Sequence, residues 1–219
     1  LSETGNLIQM KSLNEYLAQA YRIKVYNNYF FVSGLSDEAN DYVLLKMDTS
    51  LNVIWSKKYG GTQSDHNFGM DIDIDGNIFL TGHTLSDTEN WDTYTMKINL
   101  DGEKLWESKV GNPRGFDPKY IHDETWDVKA TNDGGCIIVA GSGDEYENYN
   151  SYCDSTGTSS NQWVVYLIKF NESGNIEWQN IYFDSDGGDW AGEAITLTND
   201  NEAVVAVDNG SFGFLKINS

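Results

Sequence analysis

The chain is poor in basic residues, with 14 Lys+Arg against 34 Asp+Glu among 219 residues and a formal net charge of -20. A surface this acidic repels phosphate, which argues against nucleic acid and anionic membrane as partners and suits a salty or extracellular setting. No apolar run approaches the ~20 residues a membrane span needs, so no membrane span is expected. No stretch has a convincing helical period. Catalytic signatures are missing too: there is no G-x-S-x-G, no phosphate-binding glycine loop, and neither cysteine has a histidine near it in sequence. The 3 histidines make no H-x-H or H-E-x-x-H spacing. Proline is nearly absent, at 2 residues. No signal peptide is visible and the chain opens on Leu1, so a processed or excised domain is expected.

What is present is repetition. "NVIWSKKYGG" (52–61) returns as "EKLWESKVGN" (103–112) and "NIEWQNIYFD" (175–184). The repeat holds four short β-rich runs, with tight turns after the first and third. The turns read "NN", "DG", "NDGG" and "NDNE" in one place, and "DTSLN", "NLDGE" and "NESGN" in the other. Asn/Asp-Gly between apolar runs is a hairpin signal because such turns need positive φ. Four antiparallel strands per repeat make the blade of a β-propeller, and a hydrophobic content of 39% supplies a core.

The fourth copy, "EAITLTNDNEAVVAVDNGSFGFLKINS", stops one strand short, and "SETGNLIQMKSLN" matches the missing one. The expected fold is therefore all-β, a single propeller of four blades closed by the N-terminal strand. The blades span roughly 15–60, 66–112, 124–184, and 190–219 plus 1–14. Trp55, Trp106 and Trp178 share one outer-strand position and are expected to fill the space between sheets. Gln9 holds that place in the closing blade, and Lys46, Lys97, Lys169 and Lys216 recur as structural residues.

The segments "DYVLLKMDTSLNVIWSKKYGGTQSD" and "TNDGGCIIVAGS" resemble the β-propeller repeats of bacterial and archaeal cell-surface and secreted proteins. The resemblance covers essentially the whole chain and implies an exported, adhesive or ligand-binding protein. It does not mark one activity.

All the hairpins lie on one face of such a propeller. The other face carries long connections, including "GTQSDHNFG", "GNPRGFDPKYIHDET", "TLSDTENW", "DSDGGDWAG" and "GDEYENYNSYCDSTGTSSNQ". Long loops on a rigid scaffold are where binding residues concentrate. His66, His83 and His122 fall in or beside them, as do Trp91, Trp126, Trp163 and Trp190. Tyr21, Phe68 and Trp126 align at the start of the innermost strand, where Glu193 replaces the aromatic in blade four. Aromatic faces among carboxylates and amides can grip a sugar ring, and they also describe a protein-binding surface. Packing between blades is the alternative role for the same aromatics. The histidines could serve as a metal site or as acid and base.

"DIDIDG" (71–76) begins like a calcium loop, but Gly82 stands where the twelfth-position Glu is needed. In the repeat register Asp71 and Asp73 belong to an inner strand, and Asp75-Gly76 forms a turn. Calcium could instead use Asp184, Asp186 and Asp189. Cys136 and Cys153 either form a disulfide or leave Cys136 as a packed strand residue. Asn171 and Asn209 head N-x-S sequons. The leading expectation is a non-catalytic extracellular or cell-surface module binding carbohydrate through the long-loop face. The alternatives are a protein-interaction or adhesion scaffold, and a polysaccharide lyase or hydrolase using His66, His83 or His122.

Overall fold

The computed structural model describes residues 4–37, 41–88, 90–111, 121–143, 163–183, 190–208 and 212–218. The described residues form fifteen strands and no helix. In chain order they are β1 (Gln19–Tyr26), β2 (Tyr29–Leu35), β3 (Tyr42–Met47), β4 (Val53–Tyr59), β5 (Asp65–Ile72), β6 (Ile78–Thr84), β7 (Asp92–Ile98) and β8 (Lys104–Val110). There follow β9 (His122–Ala130), β10 (Cys136–Gly143), β11 (Val164–Phe170), β12 (Ile176–Tyr182), β13 (Ala191–Leu197), β14 (Ala203–Asp208) and β15 (Phe212–Ile217). They make four antiparallel sheets, ordered β1-β2-β3-β4, β5-β6-β7-β8, β9-β10-β11-β12 and β13-β14-β15. The architecture is propeller-like, with β1 packed against β5, β5 against β9, and β9 against β13.

One turn design recurs at the hairpin ends. In the loops starting at Asp48, Asp73, Asn99, Thr131, Asn171 and Thr198, the first residue's N–H donates to the fifth carbonyl and the fourth N–H donates back to the first. The fourth residue then takes positive φ: Leu51, Gly76, Gly102, Gly134, Gly174 and Asn201. Glycine adopts that region without a Cβ penalty, and Asn tolerates it. The first side chain often secures the loop. Asp73 Oδ1 accepts from the N–H of Asp75 (3.0 Å) and of Asn77 (2.8 Å), and Asn171 Oδ1 accepts from Ser173 and Asn175. The β1–β2 hairpin differs: Asn27 and Asn28 both have positive φ, as a two-residue loop requires.

Sheets stack face to face, so the middle strands β6, β10 and β11 are buried along their whole length and β7 along all but Asp92. Trp55 joins the layer between the first two sheets beside Phe31, Trp106 packs between Phe79 and Phe170, and Trp178 enters the layer between the third and fourth. The repeated Trp is thus inter-sheet filling. The turn of the next sheet lies over it: Trp106 Nε1 donates to Glu172 O (2.9 Å), and a Cβ on Gly174 would meet the Trp106 ring at 2.7 Å. The repeated lysines bind structure as well. Lys46 donates to Leu100 O and Lys97 to Gly134 O, while Lys169 pairs with Asp133 and Glu177, and Lys216 with Glu202. Cys136 is a buried free thiol in β10, pushed up by burial. Cys153, Asp184, Asp186, Asp189 and Asn209 lie outside the described residues.

Among the described residues, 5–13 form no strand and the fourth sheet has three strands, so the expected closure by residues 1–14 is not shown. Leu13, Tyr16 and Leu17 instead pack on the face of the first sheet formed by Val32, Val43 and Leu45. That contact draws the preceding residues to the same sheet, where Gln9 Nε2 donates to Ser50 O at 2.9 Å. Leu7, Ile8 and Met10 remain exposed. In the fourth sheet β14 alternates between buried and less buried residues, where β6 and β10 are buried throughout.

Candidate functional site

Each inner strand breaks register once, and always at the same place. The ladder skips from Ala20 to Arg22 in β1, from Asn67 to Gly69 in β5, from Thr125 to Asp127 in β9, and from Gly192 to Ala194 in β13. The four skipped residues are Tyr21, Phe68, Trp126 and Glu193. A bulge leaves one residue without a ladder partner and re-aims its side chain. Here it turns three aromatics onto one another: Tyr21 and Phe68 have ring centroids 4.8 Å apart, and so do Phe68 and Trp126. All three are half-buried. The bulges also force close backbone approach. A Cβ on Gly34 would lie 1.8 Å from Gln19 O, and one on Gly82 would lie 1.7 Å from His66 O.

The cluster continues through the second sheet. His83 lies 5.2 Å from Phe68 and 5.2 Å from His66, and both imidazoles meet Trp91, at 4.9 and 4.7 Å. His66 faces His83 across the ladder, and in the third sheet Glu124 faces Gly141 at the same register. Trp91 O accepts from Asp123 N at 2.8 Å, tying the two sheets together at this end. Below, Asp65 accepts hydrogen bonds from Thr84, Ser86 and Gly61 N, fixing the loop that enters β5.

Of the residues singled out from sequence, the structure gathers Tyr21, Phe68, Trp126, Trp91, His66 and His83 into one continuous cluster. Glu193 occupies the fourth bulge on the next strand and is exposed. His122 is buried, with Nδ1 3.9 Å from Glu124 Oε1. Trp163 and Trp190 make a contact of their own: Trp190 N donates to Trp163 O at 2.9 Å, and the Trp163 ring lies over Gly141 and Gly143. Glu124 went unnoticed in the sequence. It stands two residues before a bulged aromatic, as His66 does, and that shared register is the signal.

Burial drives the electrostatics. It pushes His83 down to about 3 against the pull of Glu124, with His66 and His122 adding to the depression. His66 is lowered by burial as well. Both imidazoles are therefore neutral at pH 7. Burial acts to raise Glu124, but the contact with His122 and the nearby His83 and His66 bring it below the usual carboxyl range. Glu193 is raised, first by desolvation and then by Asp208. The cluster thus offers aromatic faces, neutral imidazoles and an ionised carboxylate. Among the described residues, no three His, Cys, Asp or Glu side chains are placed to hold a metal ion, and no helix is long and apolar enough to cross a membrane.

No family model and no curated protein matches the chain. Among solved structures, a protein of unknown function from Bacteroides caccae is similar over 91% of this chain, with 10% identity and a TM-score of 0.52. The chain spans 57% of that protein's length. A mannose phosphorylase from Leishmania mexicana gives a TM-score of 0.47 at 10% identity, over 89% of this chain and 65% of its own. A bifunctional GH43-CE protein from Bacteroides eggerthii gives 0.44 at 10% identity, over 84% and 22%. At such identities the first likeness is one of fold alone.

Proposed function

We propose that the chain is a non-catalytic carbohydrate-binding module of an extracellular or cell-surface protein, with a single site at the bulged ends of its inner strands. One observation carries this reading: four bulges at one register, three of which present half-buried aromatic side chains to a common cluster. Partly exposed rings can stack on the apolar face of a sugar, while Glu124 and His83 can take its hydroxyls. The register of His66 carries Gln19, Glu124 and Ala191 in the other sheets, which favours one asymmetric site over four equivalent ones. The acidic composition and the resemblance to cell-surface repeats support an exported setting. A glycan array probed with and without calcium tests the reading. Saturable binding to one glycan class, lost in Trp126→Ala, supports it; a blank array in both conditions overturns it in favour of a protein ligand on the same face.

The proposal includes a four-bladed ring closed by residues 1–14. Gly5 has φ +69°, near the +76° and +81° of Gly102 and Gly174, the turn residues that cover Trp55 and Trp106. The matching place over Trp178 is a cleft of about 270 Å³ lined by Asn132, Asp133, Lys169 and Asn201. In the sequence repeat Gln9 matches Trp178, which stands opposite Lys169, so a closed ring would set Gln9 opposite Lys216. A Gln9→Cys/Lys216→Cys variant lacking Cys153 then forms an intrachain disulfide on oxidation; a chain that stays reduced argues against closure.

A catalytic reading has one observation in its favour, the approach of His66, His83 and His122 to Glu124. Release of reducing or unsaturated ends from a polysaccharide, abolished in Glu124→Gln, would establish it.

A further inference from the structure

We infer that the carbohydrate held at this cluster carries an ammonium group, as an amino sugar with a free amine does. The inference rests on the carbohydrate reading above and concerns what Glu124 lacks. Its side chain is only 17% exposed; among the described residues its one close partner is His122 Nδ1 at 3.9 Å, and no described lysine or arginine pairs with it. Other carboxylates of the inner strands are served. Asp71 has Lys24 and Lys129, and Asp127 has Arg22 at 4.0 Å and the N–H of Ile195 at 3.2 Å. The neighbouring imidazoles hold Glu124 in its ionised form, and an ionised, largely desolvated carboxylate is a strong point of attraction for a cation. A ligand cation would complete the arrangement.

The surroundings suit that cation. Trp126, Phe68 and Trp91 offer π-faces, which attract a positive charge within about 6 Å of the ring. Arg22, next to Tyr21 in β1, is turned aside to Tyr21 O, Trp126 O and Asp127. His83 contributes a second, independent sign of a ligand. It is buried to 4% exposure within the cluster, yet its Nδ1 has no hydrogen-bond partner. Held neutral by burial, the imidazole does not repel a cation, and its free nitrogen can meet a ligand's hydroxyl or amine. Glu193 at the fourth bulge adds negative charge on the same rim, and the net charge of -20 draws cations toward the protein.

The test compares three β-1,4-linked hexasaccharides of one backbone by calorimetry on the full chain: free-amine glucosamine, its N-acetylated form, and the glucose form. In low salt, below the amine's pKa, the free-amine hexamer binds on the order of tenfold more tightly than the other two. That preference shrinks with added salt and disappears in Glu124→Gln, whose thermal melt confirms folding, while Trp126→Ala loses all three ligands. Equal affinities for the three in the native chain overturn the ammonium inference and leave the sugar site standing. Salt-insensitive preference, or preference retained in Glu124→Gln, overturns the role of the carboxylate. Binding of none of the three overturns the ammonium inference for this backbone, and the glycan array then decides separately whether the sugar site stands.

Discussion

Two carboxylates of the inner strands sit on opposite sides of the bulges and are treated differently. Asp71, on the hairpin side, is gripped by Lys24 at 2.8 Å, Lys129 at 2.7 Å and the Ala130 N–H at 3.0 Å, so one side chain stitches β1, β5 and β9 together. Glu124, on the long-loop side, has aromatic and imidazole neighbours and, among the described residues, no lysine or arginine partner. The difference separates two uses of one chemical group. Below the bulges the charge is consumed in holding sheets together; above them it is left for something else to meet. The hairpin end reinforces the contrast, because it repeats one turn design while the other end changes residue from sheet to sheet.

Breaking the supported carboxylate gives the largest effect. Asp71→Ala strands two lysines and a backbone donor, and should lower the unfolding free energy by about 3–5 kcal/mol in urea melts. A loss below ~1 kcal/mol would mean the lysines find other partners. Next comes acid. His83 titrates near 6.5 when unfolded and at about 3 when folded, so between those values the unfolded chain binds more protons. Stability attributable to His83 is complete above 6.5 and falls as pH drops toward 3, by up to about 1.4 kcal/mol per pH unit. Between pH 7 and pH 5 the native chain should lose roughly 2 kcal/mol more than His83→Gln; parallel curves would show the imidazole is not desolvated. Smaller again is Asp73→Ala, which releases the N–H groups of Asp75 and Asn77 and should cost about 1–2 kcal/mol. That corresponds to a melting point lower by several degrees, with ligand affinity unchanged. Smallest is Glu124→Gln, expected to unfold within about 1 kcal/mol of the native chain because no cation is orphaned. A cost as large as that of Asp71→Ala would erase the contrast between the two carboxylates.

The hairpin half of the molecule was the legible half. Its turns need positive φ at the fourth position, and that need selects the Gly and Asn residues that mark them; Leu51, with φ 61°, is the turn that composition hides. The repeat also aligned Tyr21, Phe68, Trp126 and Glu193 correctly. What it could not convey is that each is a bulge, since a register skip leaves no residue signature of its own. Glu124 was lost among polar neighbours in "IHDETW", and only its cross-strand pairing with Gly141, matching His66 with His83, picks it out. The N-terminal segment was legible only as residue types: "SETGN" matches the turn before an outer strand, but where such a strand pairs is decided by tertiary packing, and the described residues 5–13 form no strand that shows it.

The central claim is that the bulges build a binding surface rather than a plug of packed rings. The most direct measurement is a glycan array run side by side on the native chain, Trp126→Ala and Trp178→Ala, with thermal melts of each. Binding lost in Trp126→Ala with the fold intact, and kept in folded Trp178→Ala, is the predicted result. Binding indifferent to Trp126, or a Trp126→Ala chain that loses several kcal/mol of stability and no affinity, would contradict it.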